Sequence, residues 1–112
     1  MKLFWLSLLL IIGAGSEPVR AHEAMSGWRY PISCCSDRDC AVVSPEAVRE
    51  VRGGYIVTVK PGTHPMWPAT KDAPAVFNIP AHEGTPSPDG QFHICISPSG
   101  ARLCFFAAIG GS

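Results

Sequence analysis

The sequence is short of charge, short of uninterrupted helix-forming stretches, and has no apolar run long enough to cross a bilayer as a helix. Charged residues are 16 % of the chain, balanced at nine basic and nine acidic. They form no basic stripe or arm, which excludes the electrostatic footprint of a nucleic-acid-binding protein. Eleven prolines, ten of them beyond Ser26, leave little room for long helices. The longest apolar stretch, residues 3–12, is broken by Ser7 and spans about half of the roughly twenty residues a membrane helix needs. Cys-x-x-Cys, Gly-x-Ser-x-Gly, His-Glu-x-x-His and phosphate-loop patterns are all missing. The familiar redox, hydrolase, metalloprotease and nucleotide-binding signatures are thereby absent.

What the apolar stretch does fit is an export leader. Lys2 supplies a positive start, residues 3–12 the apolar segment, and Val19-Arg20-Ala21 a small-residue cleavage site. Residues 1–21 are therefore expected to be a signal peptide, with the mature chain starting at His22. No cysteine stands at the cleavage point, which argues against a lipid anchor. Cleavage removes Lys2, Arg20 and Glu17, leaving seven basic and eight acidic residues. The expected location is periplasmic or secreted, with no membrane span after cleavage.

Residues 22–112 are expected to form a single domain. A chain of that size buries only about 60–65 % of its extended surface, so cross-links matter to it. Five cysteines lie in this part: Cys34, Cys35, Cys40, Cys95 and Cys104. Export makes them disulfide candidates. A bridge from the early three to either late one closes a loop of about sixty residues, worth roughly 4 kcal/mol in the chain-entropy view. Five is odd, so two bridges leave one thiol, and spacing does not choose which.

Residues 22–33 are expected to form an irregular arm carrying Trp28 and Tyr30. Ser44-Pro45-Glu46 has the chemistry of a helix start, and Gly53-Gly54 that of a stop, predicting one short helix to about Arg52. Residues 55–59 are the clearest strand, and 75–79 a shorter one. Between them Trp67 is the expected anchor of a proline-broken segment. Ser87-Pro88-Asp89-Gly90 reads as a turn. Residues 91–96 and 101–106 form a hairpin over Ser97-Pro98-Ser99-Gly100, with Cys95 opposite Cys104. Residues 107–112 are expected to be a loose tail. The fold class is a small β-rich (α+β) disulfide-stabilised domain: an antiparallel sheet with a C-terminal hairpin and one short helix.

Trp28-x-Tyr30, Cys34-Cys35-Ser36-Asp37-Arg38-Asp39-Cys40, Gly53-Gly54-Tyr55, Ser87-Pro88-Asp89-Gly90-Gln91-Phe92, Cys95, Pro98-x-Gly100 and Cys104-Phe105-Phe106 stand in one order along the chain. This pattern resembles a group of small exported bacterial proteins, over most of residues 22–109. The resemblance implies export and the extent of the domain. It brings no activity and no catalytic residue.

Several residues carry potential chemistry. An N-terminal His22 offers its amine and a ring nitrogen to copper, and His64, His82 or His93 can supply a second ring, with Met25 or Met66 for softer copper. A zinc arrangement would use Cys35, Cys40, His93 and Cys95. Asp37 and Asp39 flank Arg38 without the further oxygens of a calcium loop, and are expected in a solvated turn. His82-Glu83 are sequence neighbours, which rarely face one another as base and orienter. Trp28, Tyr30, Trp67, Phe105 and Phe106 are expected in the core rather than on a ligand platform.

The leading expectation is a non-enzymatic binding or interaction module with a partner in the cell envelope or outside it. Two alternatives are a copper-binding protein built on a His22 brace, with candidate metal residues His22, His64, His82 and His93, and a thiol-redox partner acting through the odd cysteine.

Overall fold

A computed structural model describes residues 22–35 and 38–108. The predicted signal peptide and cleavage site, and all of the predicted tail except residues 107 and 108, lie outside those residues.

Seven strands form two sheets. They are β1 (Cys40–Val43), β2 (Val48–Val51), β3 (Gly54–Val59), β4 (Ala75–Pro80), β5 (Gly84–Pro86), β6 (Phe92–Ile96) and β7 (Arg102–Ala107). The first sheet has the order β1-β6-β7-β5 and the second β2-β3-β4. All pairings are antiparallel except that of β5 with β7. The strands expected at 55–59 and 75–79 and the C-terminal hairpin are all present, as is the disulfide-stabilised β-rich class.

The predicted helix from Ser44 to Arg52 is not. Pro45–Ala47 makes one 3-10 turn, closed by Ala47 N–H on the Ser44 carbonyl at 3.0 Å. The chain then enters β2, where Val48 pairs with Val57 and Val51 with Gly54. The start signal was real for a single turn. The β-branched Val48 and Val51 then gain more from a partner strand than from helical neighbours. Arg52-Gly53 is the β2–β3 turn, with Gly53 at φ +85°, and Gly54 opens β3. Ala107, placed in the tail by the sequence, ends β7 and is fully buried.

Strand alternation builds two cores on opposite faces of the first sheet. On one face Val43, Ile94, Ile96, Phe105 and Ala107 meet Val57, Val59 and Ile79 of the second sheet. On the other, Cys40, Cys95 and Phe106 lie against the arm residues Ala24, Tyr30, Cys34 and Cys35, with Trp28 and Cys104 packed alongside. The result is three layers: second sheet, first sheet, arm. Strand β6 lies in the middle, so His93, Ile94, Cys95 and Ile96 are all buried.

Two disulfides lie on the arm side of the first sheet, one joining the arm to β7 and the other joining β1 to β6. Cys34 bonds Cys104 and Cys40 bonds Cys95, across 70 and 55 residues of sequence. Cys35 stays outside both and is buried. Trp67 anchors its segment, donating from Nε1 to the Ala73 carbonyl at 2.9 Å, with Lys71 Nζ 4.6 Å from its ring centre.

Candidate functional site

Two places gather polar side chains against apolar ones, one on each side of the first sheet. On the arm side, Asp89 sits at the tip of the Ser87-Pro88-Asp89-Gly90 turn. Its carboxylate accepts from the Gln91 backbone N–H at 3.0 Å, which is what an Asp in a turn does locally. It also accepts from Ser26 Oγ at 2.5 Å, Trp28 Nε1 at 2.9 Å and His93 Nε2 at 2.8 Å. Burial by itself would raise the Asp89 carboxyl. The hydrogen bonds from Ser26, His93, Gln91 and Trp28 outweigh it and hold the group well below the usual carboxylate range.

The chain of contacts continues inward. An ionised Asp89 can only accept, so His93 Nε2 carries a proton; in the neutral ring Nδ1 then accepts from the Tyr30 hydroxyl at 2.8 Å. Burial pushes the Tyr30 hydroxyl far above the ordinary tyrosine range, and the Asp89 charge and then the neighbouring Cys35 act in the same direction. The rings of Trp28, Tyr30 and Phe106 enclose His93 edge-on, with centroids 5.1, 5.4 and 6.3 Å away. Tyr30 and His93 are buried, so this arrangement ties the arm to the sheet. At the arm's beginning, His22 Nδ1 lies 3.2 Å from Cys35 Sγ, and the His22 ring packs 5.1 Å from that of Tyr30.

On the far side a cleft of about 670 Å³ opens between the two sheets. Val43, Val59 and Ile94 form its buried floor, Ala47 lies on one wall, and the exposed Glu46 and Lys60 stand at the rim. Of the polar residues lining it, which include Ser44, Thr58 and Thr63, His64 is the buried one. Its Nε2–H donates to the Ile94 carbonyl at 2.9 Å, and its Nδ1 accepts the Met66 backbone N–H at 3.0 Å. Burial lowers the His64 pKa and the His22 charge lowers it further, against the opposing Ile94 hydrogen bond and Asp39 charge.

The structure disperses the candidate metal residues. His22 stands beside Cys35, His64 lines the cleft, His82 sits in an exposed 3-10 turn, and His93 is held between Tyr30 and Asp89. Among the described residues, no group of three or more His, Cys, Asp or Glu side chains is placed to hold a metal. The zinc arrangement fails because Cys40 and Cys95 are bonded to each other. Asp39, expected in a solvated turn, is buried, and Asp37 lies outside the described residues. Glu83 pairs with Arg102 at 2.9 Å rather than with His82. Tyr30, Phe105 and Phe106 are core residues, as expected, whereas Trp28 and Trp67 are only half-buried and pack against the edges of the two cores.

Sequence reasoning missed the Asp89–His93–Tyr30 chain. Asp89 and His93 are four apart, which signals contact on a helix, whereas here a turn folds the carboxylate back over a strand. The His22–Cys35 contact had no sequence signal either. Comparison with protein-family models, curated proteins and solved structures finds no match for this chain.

Proposed function

We propose that this chain is an exported, non-enzymatic binding module that takes up a small apolar or amphipathic molecule in the cleft between its sheets. The cleft carries this reading. Its volume of about 670 Å³ is within the range of small-molecule sites, and an aliphatic floor with a few polar groups at the edge is the usual composition of one. Lys60 at the rim gives an anionic head group a partner, while Val43, Val59 and Ile94 receive an aliphatic body.

Export is supported by the leader pattern, by two disulfides, and by the resemblance to small exported bacterial proteins. Among the described residues no helix is long and apolar enough to cross a membrane. A thiol-exchange role is less well supported, because a reacting thiolate must be reachable and Cys35 is wholly buried.

The test is chemical-shift mapping of the mature protein with decanoate as probe, alongside an Ala47→Trp variant that fills the cleft. Shifts confined to Val43, Ala47, Val59, Lys60 and Ile94, and lost in the variant, are expected. Shifts scattered over the surface, or unchanged by Ala47→Trp, would refute the reading.

A further inference from the structure

The arm side holds a second arrangement, independent of the cleft. Of the two ring nitrogens of His22, it is Nδ1 that lies 3.2 Å from Cys35 Sγ. This choice of nitrogen matters. If export leaves His22 as the first residue, its α-amine and Nδ1 can close a six-membered chelate ring on one metal ion, which Nε2 cannot do. The thiol therefore stands beside the one ring nitrogen able to chelate with the new terminus. Two side chains supply two of the donors, and the backbone amine exposed by processing supplies the third.

We propose that the mature N-terminus forms a monovalent copper site from the His22 α-amine, the His22 Nδ1 and the Cys35 thiolate. Three observations select this ion. A thiolate is a soft donor and favours Cu(I) over hard cations. Structural zinc takes four protein ligands, whereas no group of three or more metal-binding side chains occurs among the described residues. Cys35 is also wholly buried, where net charge is costly. One thiolate with Cu(I) and two neutral nitrogens is electrically neutral, while a divalent ion in the same place leaves a buried positive charge.

The binding step is balanced as ligand exchange. The Cys35 thiol and the His22 α-ammonium each give a proton to solvent as the copper–sulfur and copper–amine bonds form, the ligands that carried the copper are released, and copper enters and remains as Cu(I). The surroundings brace the donors: His22 packs on Tyr30, whose hydroxyl is tied through His93 to Asp89. Cys34, next in the chain to Cys35, is fixed to β7 by its disulfide with Cys104.

The test compares the mature protein starting at His22 with a form carrying one extra Gly before it, and with Cys35→Ser and Cys35→Ala variants. Each competes for Cu(I) against a chromophoric bathocuproine chelator, with near-UV circular dichroism to verify folding. One Cu(I) per chain is expected for the His22 form. The added Gly should weaken binding about tenfold or more, and loss of the thiol about a hundredfold or more. The Gly extension keeps every side chain in place, so it remains informative if the buried Cys35 variants fail to fold. Equal binding by the His22 and Gly-extended forms would overturn the proposal. So would unchanged binding in a folded Cys35 variant, or terminal sequencing of the exported protein that finds a start other than His22.

Discussion

Cys95 stands directly opposite Cys104 across the β6–β7 hairpin, yet the two are not bonded to each other. Each instead reaches out of the hairpin, Cys95 to Cys40 on the neighbouring strand and Cys104 to Cys34 in the arm. The difference is energetic as well as topological. A direct bridge would close about ten residues and constrain the unfolded chain by about 2.7 kcal/mol, whereas loops of 55 and 70 residues each reach about 4 kcal/mol when taken singly. The loops are nested, so the second adds less than its own value.

Removing the inner bridge by Cys40→Ala with Cys95→Ala should therefore destabilise the protein by about 2–5 kcal/mol in urea unfolding. Thiol titration of the unfolded, unreduced chain should find one thiol, at Cys35. Peptide mapping should return Cys34–Cys104 and Cys40–Cys95. Recovery of a Cys95–Cys104 peptide from folded protein would contradict the arrangement.

Asp89 is the point where turn, arm and sheet meet, and its acid behaviour should show it. The folded state holds its carboxyl below the ordinary value of 3.8, so the stabilisation is complete above that pH. It is withdrawn as pH falls toward the folded value and the carboxylate is protonated. Asp89→Asn should flatten the acid limb of the stability profile. At neutral pH, Asp89→Ala should cost about 2–3 kcal/mol, because hydrogen bonds to a charged group are lost and buried donors are stranded. The Trp28 indole N–H resonance, now bonded to Asp89 at 2.9 Å, should move toward its free position. An unchanged acid limb in Asp89→Asn would show that the carboxylate does not carry this dependence.

The strands legible in the sequence are those whose signal is local. Tyr55, Val57 and Val59 alternate inward within one strand, and β6 alternates between two cores, so side-chain period alone locates them. Strands β1 and β5 were not legible. Cys40-Ala41-Val42-Val43 and Gly84-Thr85-Pro86 are short, and become strands because β6 and β7 offer edges to pair with. The same distinction governs the sites. Ser87-Pro88-Asp89-Gly90 reads as a turn from local chemistry, but Ser26 and Trp28 reach Asp89 across more than sixty residues. Such contacts follow from the docking of the arm, which no local pattern encodes.

Adjacent glycines at the β2–β3 turn should behave differently for separate reasons. A Cβ on Gly54 would stand 2.0 Å from the Ile79 backbone oxygen, in the β3–β4 pairing itself. Backbone cannot yield as a flexible side chain does, so Gly54→Ala should cost at least about 2 kcal/mol. Gly53 has open space around it but sits at φ +85°, so Gly53→Ala should cost only about 1–2 kcal/mol through backbone strain. Urea midpoints of the two variants give the comparison. A Gly54→Ala loss no larger than that of Gly53→Ala would mean that the backbone at Gly54 gives way more easily than its close approach to Ile79 implies.

His64 links the cleft to pH. Both of its ring nitrogens are committed in the neutral form, Nε2–H donating to Ile94 and Nδ1 accepting from Met66. A proton on Nδ1 would remove that acceptor and place a charge inside the cleft. Burial accordingly lowers the His64 pKa from 6.5, with the His22 charge in the same direction, although the Ile94 bond and Asp39 oppose it. The unfolded chain then binds a proton more readily than the folded one. Stability contributed by this residue is full above pH 6.5 and declines as pH falls below it toward the folded value. Stability measured at pH 7.5 and pH 5.5 should fall in the natural protein, and fall less in His64→Gln, whose amide does not titrate. Nuclear magnetic resonance titration of the His64 ring should find its midpoint below the ordinary histidine value of 6.5. The same acidification should loosen decanoate held in the cleft if His64 protonation opens the Met66 contact. A His64 midpoint at or above 6.5 would mean that the ring is not held neutral by its burial, and the pH link would fall with it.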